Sequence, residues 1–297
     1  VCILGNSLTA LTLAKALVNC KIDVEVLCNK KNYKISNTRT IGITKNNIDF
    51  FNNNIINIKK IIWNLKKIEI FSENLKKEKL INFETSNDQL FSIVKNCKLY
   101  ELLEKKLLKN KFFKSKFVKE KNPSFLKEYE LIINCDSSNF ITKRYFSKKI
   151  IKKYNSYAYT TIITHDKILN HTAFQVFTKK GPLAFLPISD KQTSVVYSLY
   201  SSNNQKEKNI DQLIRDKNFK YKIRNMDKIN SFELKSLNLR SYYHNNILAF
   251  GDLLHSVHPL AGQGFNMTIR DLKILLDIVK KKLDVGLSLD SSVNLEF

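Results

Sequence analysis

Residues 251–271 read GDLLHSVHPLAGQGFNMTIRD, and this stretch decides the fold. Just upstream, residues 247–250 form a short apolar run of strand type. Downstream, from about residue 265 to 283, apolar residues recur at helical spacing. The stretch is therefore a strand end, a loop and a helix mouth. Gly251 permits a tight turn where the strand stops. Asp252 stands just past that end, where a carboxylate can accept from a sugar-type hydroxyl. Pro259 stiffens the loop. Gly262 and Gly264 leave main-chain N–H groups open to close approach by a planar ligand, and the helix turns its positive end toward it. A plain helix cap does not call for two glycines, Pro259 and Asp252 together.

Working outward, the N-terminus opens on Val1-Cys2-Ile3-Leu4, a strand-type run followed by Gly5. Leu8, Leu11, Ala14, Leu17 and Val18 then recur at helical spacing, and residues 24–27 read as a second strand. Strand, turn, helix and strand in this order is the layout of a dinucleotide-binding βαβ unit. Residues 98–108 read as a helix with Leu99, Leu102, Leu103 and Leu107 on one side. The lysine-rich segment 109–127 reads as irregular and exposed. Leu131-Ile132-Ile133 is a buried-strand candidate ending at Asn134-Cys135-Asp136. From Tyr157 the texture changes to strand-like runs at 157–165, 172–178, 183–188 and 194–199. Turn signals at Lys180-Gly181-Pro182 and Ser189-Asp190 separate them. They predict an antiparallel sheet distinct from the N-terminal unit, followed by a short helix over 210–219.

At 297 residues, with 43% hydrophobic and 26% charged residues, the chain is globular and long enough for two domains. No stretch approaches the ~20 apolar residues that cross a bilayer. No signal peptide opens the chain. Cys2, Cys20, Cys28, Cys97 and Cys135 contain no CxxC pair and no zinc-site spacing, which points to a reducing, intracellular setting. Fifty Lys+Arg against 27 Asp+Glu give a net charge of +23. The lysines are spread along the whole chain, and Lys, Asn and Ile share AT-rich codons, so genome composition accounts for much of the charge. For the remainder an anionic membrane surface ranks ahead of nucleic acid, because no zinc-finger, RNP or basic-zipper pattern is present.

Gly251, Asp252, His258, Pro259, Leu260, Ala261, Gly262, Gln263, Gly264, Asn266, Arg270 and Asp271 together resemble a known pattern. It is the second flavin-binding motif of the class A flavoprotein monooxygenases, closest to the ubiquinone-biosynthesis (2-polyprenylphenol) hydroxylase branch. Thr38-Arg39-Thr40-Ile41-Gly42-Ile43-Thr44 resembles the arginine-containing stretch after the second strand, and residues 177–187, FTKKGPLAFLP, resemble a strand-turn-strand on the substrate side. The resemblance implies FAD as cofactor and NADH or NADPH as electron donor. It implies hydroxylation of a hydrophobic prenylated phenol through a flavin C4a-hydroperoxide. The implied architecture is α/β, p-hydroxybenzoate hydroxylase-like: a Rossmann-like FAD-binding domain interrupted by an antiparallel β-sheet substrate domain. The first takes residues 1–63, 92–153 and 236–297; the second takes 64–91 and 154–235. Implied cofactor-binding residues are Gly5, Ser7, Arg39, Asp136, Gly251, Asp252, Pro259, Gly262, Gln263, Gly264, Phe265 and Asn266. No catalytic acid or base and no metal site is assigned. His255 and His258 read as loop contacts rather than ligands. A membrane surface or a quinone-biosynthesis complex is the implied partner, nucleic acid is not, and the implied location is cytoplasmic and peripheral at the inner membrane.

Departures from the family pattern keep a second reading open. The family's G-x-G-x-x-G appears as Gly5-Asn6-Ser7-Leu8-Thr9-Ala10, and Ser7 puts a side chain where the pyrophosphate approaches. Cys28 stands where an acidic residue accepts from the adenosine ribose. Glu25, three residues earlier, should face the other way. The middle motif D-G-x-x-S appears as Asp136-Ser137-Ser138-Asn139-Phe140, and Cys97 replaces an arginine after Asn96. The stretch also begins inside an apolar run at Val1 and stops at Phe297, short of further family helices, as if cut or reduced. These losses favour a degenerate relative, weakly or not flavinylated, that serves as a scaffold or partner in a quinone-biosynthesis assembly.

Overall fold

The structure, a computed structural model, describes residues 1–29, 36–73, 79–84, 89–118, 123–201, 207, 209–256 and 263–297. The chain opens with β1 (Cys2–Leu4), α1 (Leu8–Asn19), β2 (Val24–Cys28), β3 (Thr40–Thr44) and α2 (Lys45–Asn54). Then come β4 (Ile62–Leu65), β5 (Lys67–Ser72), β6 (Lys79–Glu84), β7 (Phe91–Lys95), α3 (Asn96–Leu107), β8 (Phe113–Phe117), β9 (Ile132–Asn134) and α4 (Phe140–Tyr145). β10 (Lys149–His165), β11 (Thr172–Thr178), β12 (Gly181–Pro187), β13 (Gln192–Tyr200), α5 (Ile210–Lys217), β14 (Ile223–Met226) and β15 (Asn230–Leu239) follow. The chain ends with β16 (Tyr243–His244), β17 (Ile247–Ala249), β18 (His255–Ser256), α6 (Gln263–Asp284) and α7 (Ser292–Glu296).

A six-stranded sheet in the order β16-β17-β9-β1-β2-β8 carries the N-terminal unit. β17, β9, β1, β2 and β8 all run parallel, so their carboxyl ends share one edge. Parallel strands buried on both faces read as unbroken apolar runs, and β1, β9 and β17 are buried throughout. α1, α3 and α6 cover this sheet. Leu13 and Leu17 of α1, Leu99 and Leu103 of α3, and Leu272, Leu275 and Leu276 of α6 meet Ile3, Val26 and Ile133 in one core. The second sheet runs β18-β15-β10-β13-β12-β11-β5-β6, with β14 also on β10. It is antiparallel apart from the parallel β11–β5 pair. Ile210 and Ile214 of α5 close one of its faces over Phe174, Phe185 and Tyr197. A small sheet, β3-β7-β4, has β5 and β6 of the second sheet inserted between β4 and β7 in sequence.

Two expectations need correction. Residues 113–117, within the segment read as irregular, form β8, parallel to β2. Lys114, Ser115 and Lys116 are exposed, so main-chain pairing at the sheet edge sustains this strand and an apolar pattern does not mark it. β10 begins at Lys149 and not at Tyr157; its first five residues are exposed and pair with β15. β10 and β15 each run across an expected domain boundary, at 153/154 and 235/236. Two long continuous strands therefore join the bodies, where linkers would have marked a seam.

Asn266 fixes the start of α6. It is buried; its Nδ2 donates to the Gly42 carbonyl at 2.8 Å, and its Oδ1 accepts from Thr44 N at 3.2 Å and Asn47 Nδ2 at 2.8 Å. One carboxamide thus ties α6 to β3 and α2. Asn266→Ala leaves three buried polar groups without that partner. It should lower the unfolding free energy by about 2–4 kcal/mol, read as a shift in urea midpoint at unchanged slope.

Candidate functional site

The carboxyl edge of the six-stranded sheet gathers groups from distant parts of the chain. Gly5 ends β1 with φ +103°, and a Cβ there would stand 3.0 Å from Asp136 Cβ at the end of β9. Its N–H donates to the Leu27 carbonyl at 2.8 Å, closing the turn against β2. Gly251 follows β17 with φ +68°, and a Cβ there would lie 2.5 Å from Thr9 Cγ2. The turn into Asp252 is therefore pressed onto the first turn of α1. The Gly5, Asp136 and Gly251 turns, with Asp252, line one edge, where open parallel sheets hold their ligands.

Ser7 caps α1: its Oγ accepts from Ala10 N at 3.3 Å. That leaves the hydroxyl hydrogen available to an acceptor at the helix mouth. The degenerate middle motif is a polar turn. Asp136 Oδ1 accepts from Ser138 N at 2.8 Å and Ser138 Oγ at 2.7 Å, and Asn139 caps α4 by accepting from Thr142 N at 2.8 Å. Asn134 Oδ1 accepts from Asp136 N at 3.1 Å and Asn139 Nδ2 at 2.9 Å, which holds the turn without a glycine. Glu25 does face away, toward Tyr129 and Lys116; the Lys116 Nζ stands 2.7 Å from its Oε1. Cys28 donates its thiol hydrogen to the Lys116 carbonyl at 3.6 Å. The next residue, Asn29, reaches Asp136 Oδ2 at 3.4 Å across the end of β1.

Asp252 keeps access to solvent on one side while protein crowds it on the others. Desolvation raises its pKa, against the opposing pull of His255 and Arg39. Arg39 is exposed, with its guanidinium 4.6 Å from the centre of the Phe232 ring. Thr38 and Thr40 on either side bond to the second sheet: Asn230 Nδ2 donates to Thr38 Oγ1 at 2.8 Å, and Thr40 Oγ1 meets Ser194 Oγ at 2.8 Å. His255 Nε2 lies 2.6 Å from Asp271 Oδ2. Its pKa is raised, first by that hydrogen bond, with burial opposing. Cys135, between β9 and Asp136, has its thiol pKa pushed up by burial first and then by the carboxylates of Asp136 and Asp252.

The remaining expected residues fall in different surroundings. Gln263 is exposed at the start of α6, and among the described residues nothing would come within 4 Å of a Cβ at Gly264. Phe265 packs toward the core, with its ring 6.4 Å from Phe51. The Asn266 carboxamide is committed to β3 and α2. Pro259 and Gly262 lie outside the described residues, as does His258. Thr9, Asn29, Cys135 and the His255–Asp271 pair were not singled out by sequence reasoning for the roles they take here. Only the packing of β17 on α1, and of β18 on α6, brings them to the site.

Two buried polar atoms near Arg39 have no hydrogen-bond partner among the described residues: Thr160 Oγ1 and Asn96 Oδ1. Asn96 N donates to the Arg39 carbonyl at 3.1 Å, and Thr160 pairs in register with Asn230, which bonds Thr38. The Asp252 carboxyl and the turns at Gly5 and Gly251 fit FAD on its flavin side. On the adenosine side a thiol stands where a carboxylate is the rule.

Residues 149–283 match the family described as FAD binding domain. The chain is 32% identical over 123 residues to 3-demethoxyubiquinol 3-hydroxylase of Escherichia coli (strain K12), covering 39% of this chain and 31% of that protein. The matched stretch thus spans under a third of that relative. It is 23% identical over 368 aligned positions to the mitochondrial ubiquinone biosynthesis monooxygenase COQ6 of Drosophila melanogaster, covering 98% of this chain and 76% of the relative. In three dimensions it superposes on PqsL, a probable FAD-dependent monooxygenase from Pseudomonas aeruginosa. The TM-score is 0.75 at 14% identity, over 99% of this chain and 89% of the other. The chain is thus similar in sequence to ubiquinone-biosynthesis hydroxylases, and its fold is that of the class A FAD-dependent monooxygenases, of p-hydroxybenzoate hydroxylase type.

Two outcomes follow from this geometry. Gly251→Ala should cost about 2 kcal/mol or more from the Thr9 contact and the left-handed backbone. Thr9→Ser should recover the contact part and leave about 1 kcal/mol of backbone strain, measured as a double-mutant cycle in urea. For His255 the folded pKa lies above its unfolded value of about 6.5. Its contribution is therefore complete below that value and is lost as pH rises through the higher folded pKa. Across that window the unfolding midpoint of the native protein should fall more steeply than that of His255→Gln; parallel profiles would exclude the pairing.

Proposed function

We propose that this chain holds FAD along the carboxyl edge of its six-stranded sheet. With NADH or NADPH as electron donor, it hydroxylates the aromatic ring of a polyprenylated phenol in ubiquinone biosynthesis. The observation that carries the reading is the Gly251–Asp252 turn packed on the first turn of α1. It sets a crowded but solvent-reachable carboxyl beside the dinucleotide-type helix mouth. Bound FAD would supply the redox chemistry, taking hydride from the nicotinamide and delivering one oxygen atom of O2 to the ring.

The chain's own residues do the holding. The first-turn N–H groups of α1 favour the negative charge of a pyrophosphate, and Ser7 adds a hydroxyl donor there while its lone pair caps Ala10. Asp252 would accept from hydroxyls of the ribityl chain. Arg39, lying on Phe232, puts positive charge on the side facing the second sheet. The positive end of α6 favours negative charge at the ring it meets. The names of the two relatives, a 3-demethoxyubiquinol 3-hydroxylase and a ubiquinone biosynthesis monooxygenase, support the substrate class.

One observation favours the scaffold reading: the Cys28 thiol spends its hydrogen on the Lys116 carbonyl and offers no carboxylate to a ribose. Absorbance separates the two. The purified protein, or the protein after incubation with FAD, should be yellow and should bleach when NADH or NADPH is added without oxygen. Asp252→Ala should weaken FAD uptake at least about tenfold, as loss of a charged hydrogen-bond partner does. A colourless protein that takes up no FAD would establish the scaffold instead. Where FAD binds, the quinone intermediate that accumulates in a deletion strain identifies the step.

A further inference from the structure

The exposed half of β10 and the strand beside it combine bare cations with exposed apolar side chains. Residues 137–165 contain no Asp or Glu, nor do residues 234–251. β10 and β15 bring these two acid-free segments together, with Lys149 opposite Leu239, Ile150 opposite Asn238, Ile151 opposite Leu237 and Lys153 opposite Lys235. Arg240 N donates to the Lys148 carbonyl at 3.0 Å, extending the pairing past the strand ends. Lys148, Lys149, Lys152, Lys153, Lys235 and Arg240 are all exposed. Among the described residues none of the six forms an ion pair, whereas Lys67, Lys79, Lys116, Lys180, Lys217 and Arg224 each find an acid elsewhere.

Apolar groups stand among these cations. Ile150 is 54% exposed and Ile151 43%, and Tyr242 and Tyr243 on the same acid-free return are 51% and 38% exposed. Isoleucines side by side on a strand point to opposite faces, so an exposed pair means that the strand edge itself projects. β13 pairs with β10 only from Ser156 onward, and a register shift between Lys153 and Tyr157, with Asn155 at φ +49°, turns the outer half away.

We propose that this projecting edge docks on an anionic membrane surface. Lipid phosphates complement the six cations, and the isoleucines and tyrosines enter the headgroup region, where apolar and aromatic side chains gain. A second copy of the chain is disfavoured as occupant, because it would set lysine edge against lysine edge. A polynucleotide would satisfy the lysines but gain nothing from exposed isoleucines. The edge is also near the flavin side of the molecule. β15 residues Leu237 and Asn238, which pair with Ile151 and Ile150, pair on their other side with Ser256 and His255 of β18. Two strand spacings, about 10 Å, separate the docking edge from the segment that follows Asp252. If the proposed function holds, a prenylated substrate dissolved in the bilayer is delivered close to the site; the docking itself rests on the surface alone.

Vesicle flotation tests this. The full chain should float with phosphatidylcholine vesicles containing phosphatidylglycerol and not with phosphatidylcholine alone, and added salt should weaken the binding. Replacing Lys148, Lys149, Lys152 and Lys153 by Gln should weaken it at least about tenfold. Removing equal charge at Lys105, Lys106, Lys109 and Lys111, around the end of α3, should change it far less. Ile150→Gln with Ile151→Gln should also weaken it, leaving a salt-sensitive remainder. All replaced side chains are exposed, and unchanged thermal melts would show the variants folded. Absence of binding to the anionic vesicles overturns the proposal, and so does equal loss in the two lysine sets, which would mean diffuse charge. Patch-dependent retention on RNA, with vesicle binding unaffected by the variants, would also overturn it in favour of a nucleic-acid surface. A chain that takes up no FAD yet floats through this edge would sink the hydroxylase reading and leave this one standing.

Discussion

The close approach of Gly251 to Thr9 is the constraint from which the rest of the site follows. A strand must end, reverse in a left-handed turn and pass within contact distance of a helix that began some 240 residues earlier in the chain. Only a residue without Cβ meets both demands at once. Once that turn is seated on α1, Asp252 has one place to be: beside the helix mouth at the carboxyl edge of the sheet. Asn266 then settles where α6 begins, because its carboxamide is shared with β3 and α2.

The departures from the dinucleotide pattern have physical substitutes on one side of the cleft and none on the other. Ser7 replaces a glycine but acts as the cap of the helix whose mouth the pattern exists to present. The turn after β9 lacks its glycine and is instead held by Asn134, Asp136 and Asn139. Neither substitution blocks the sheet edge. At the end of β2 the matter differs. Cys28 turns its hydrogen toward Lys116, and the polar group nearest the vacated role is the Asn29 carboxamide, bonded to Asp136. If the cofactor is gripped here, the flavin half carries more of the binding than the adenosine half.

Net charge alone says little about this protein, because most of it is spread thinly. Its arrangement says more. Acids that pair with lysines lie on β2, β5, β6 and the β10–β11 connection, and the paired segments 149–153 and 235–239 have none. A uniform composition bias would place lysines everywhere; it does not explain why one exposed edge combines them with bare isoleucines.

The amino-acid sequence by itself determined the class of fold and the local order of turn, carboxylate and helix start near residues 251–271. Runs such as Cys2–Leu4 and Leu131–Ile133 are buried on both faces and show as unbroken apolar strings, and the GD-to-RD stretch carries a turn, a carboxylate and a helix mouth in contiguous order. Local chemistry of that kind is legible because its parts are neighbours along the chain. Tertiary structure alone decided the rest. β8 exists because β2 offers it a main-chain partner, and Lys114 and Lys116 give no sign of it. β10 starts eight residues before its apolar pattern because β15 lies alongside. Phe265 and Asn266, adjacent to the motif glycines, turn into the core and into a helix lock, since the side of a helix that a residue occupies depends on what packs against it. His255 meets Asp271, and Thr9 meets Gly251, across separations that no spacing rule encodes, because only folding makes them neighbours.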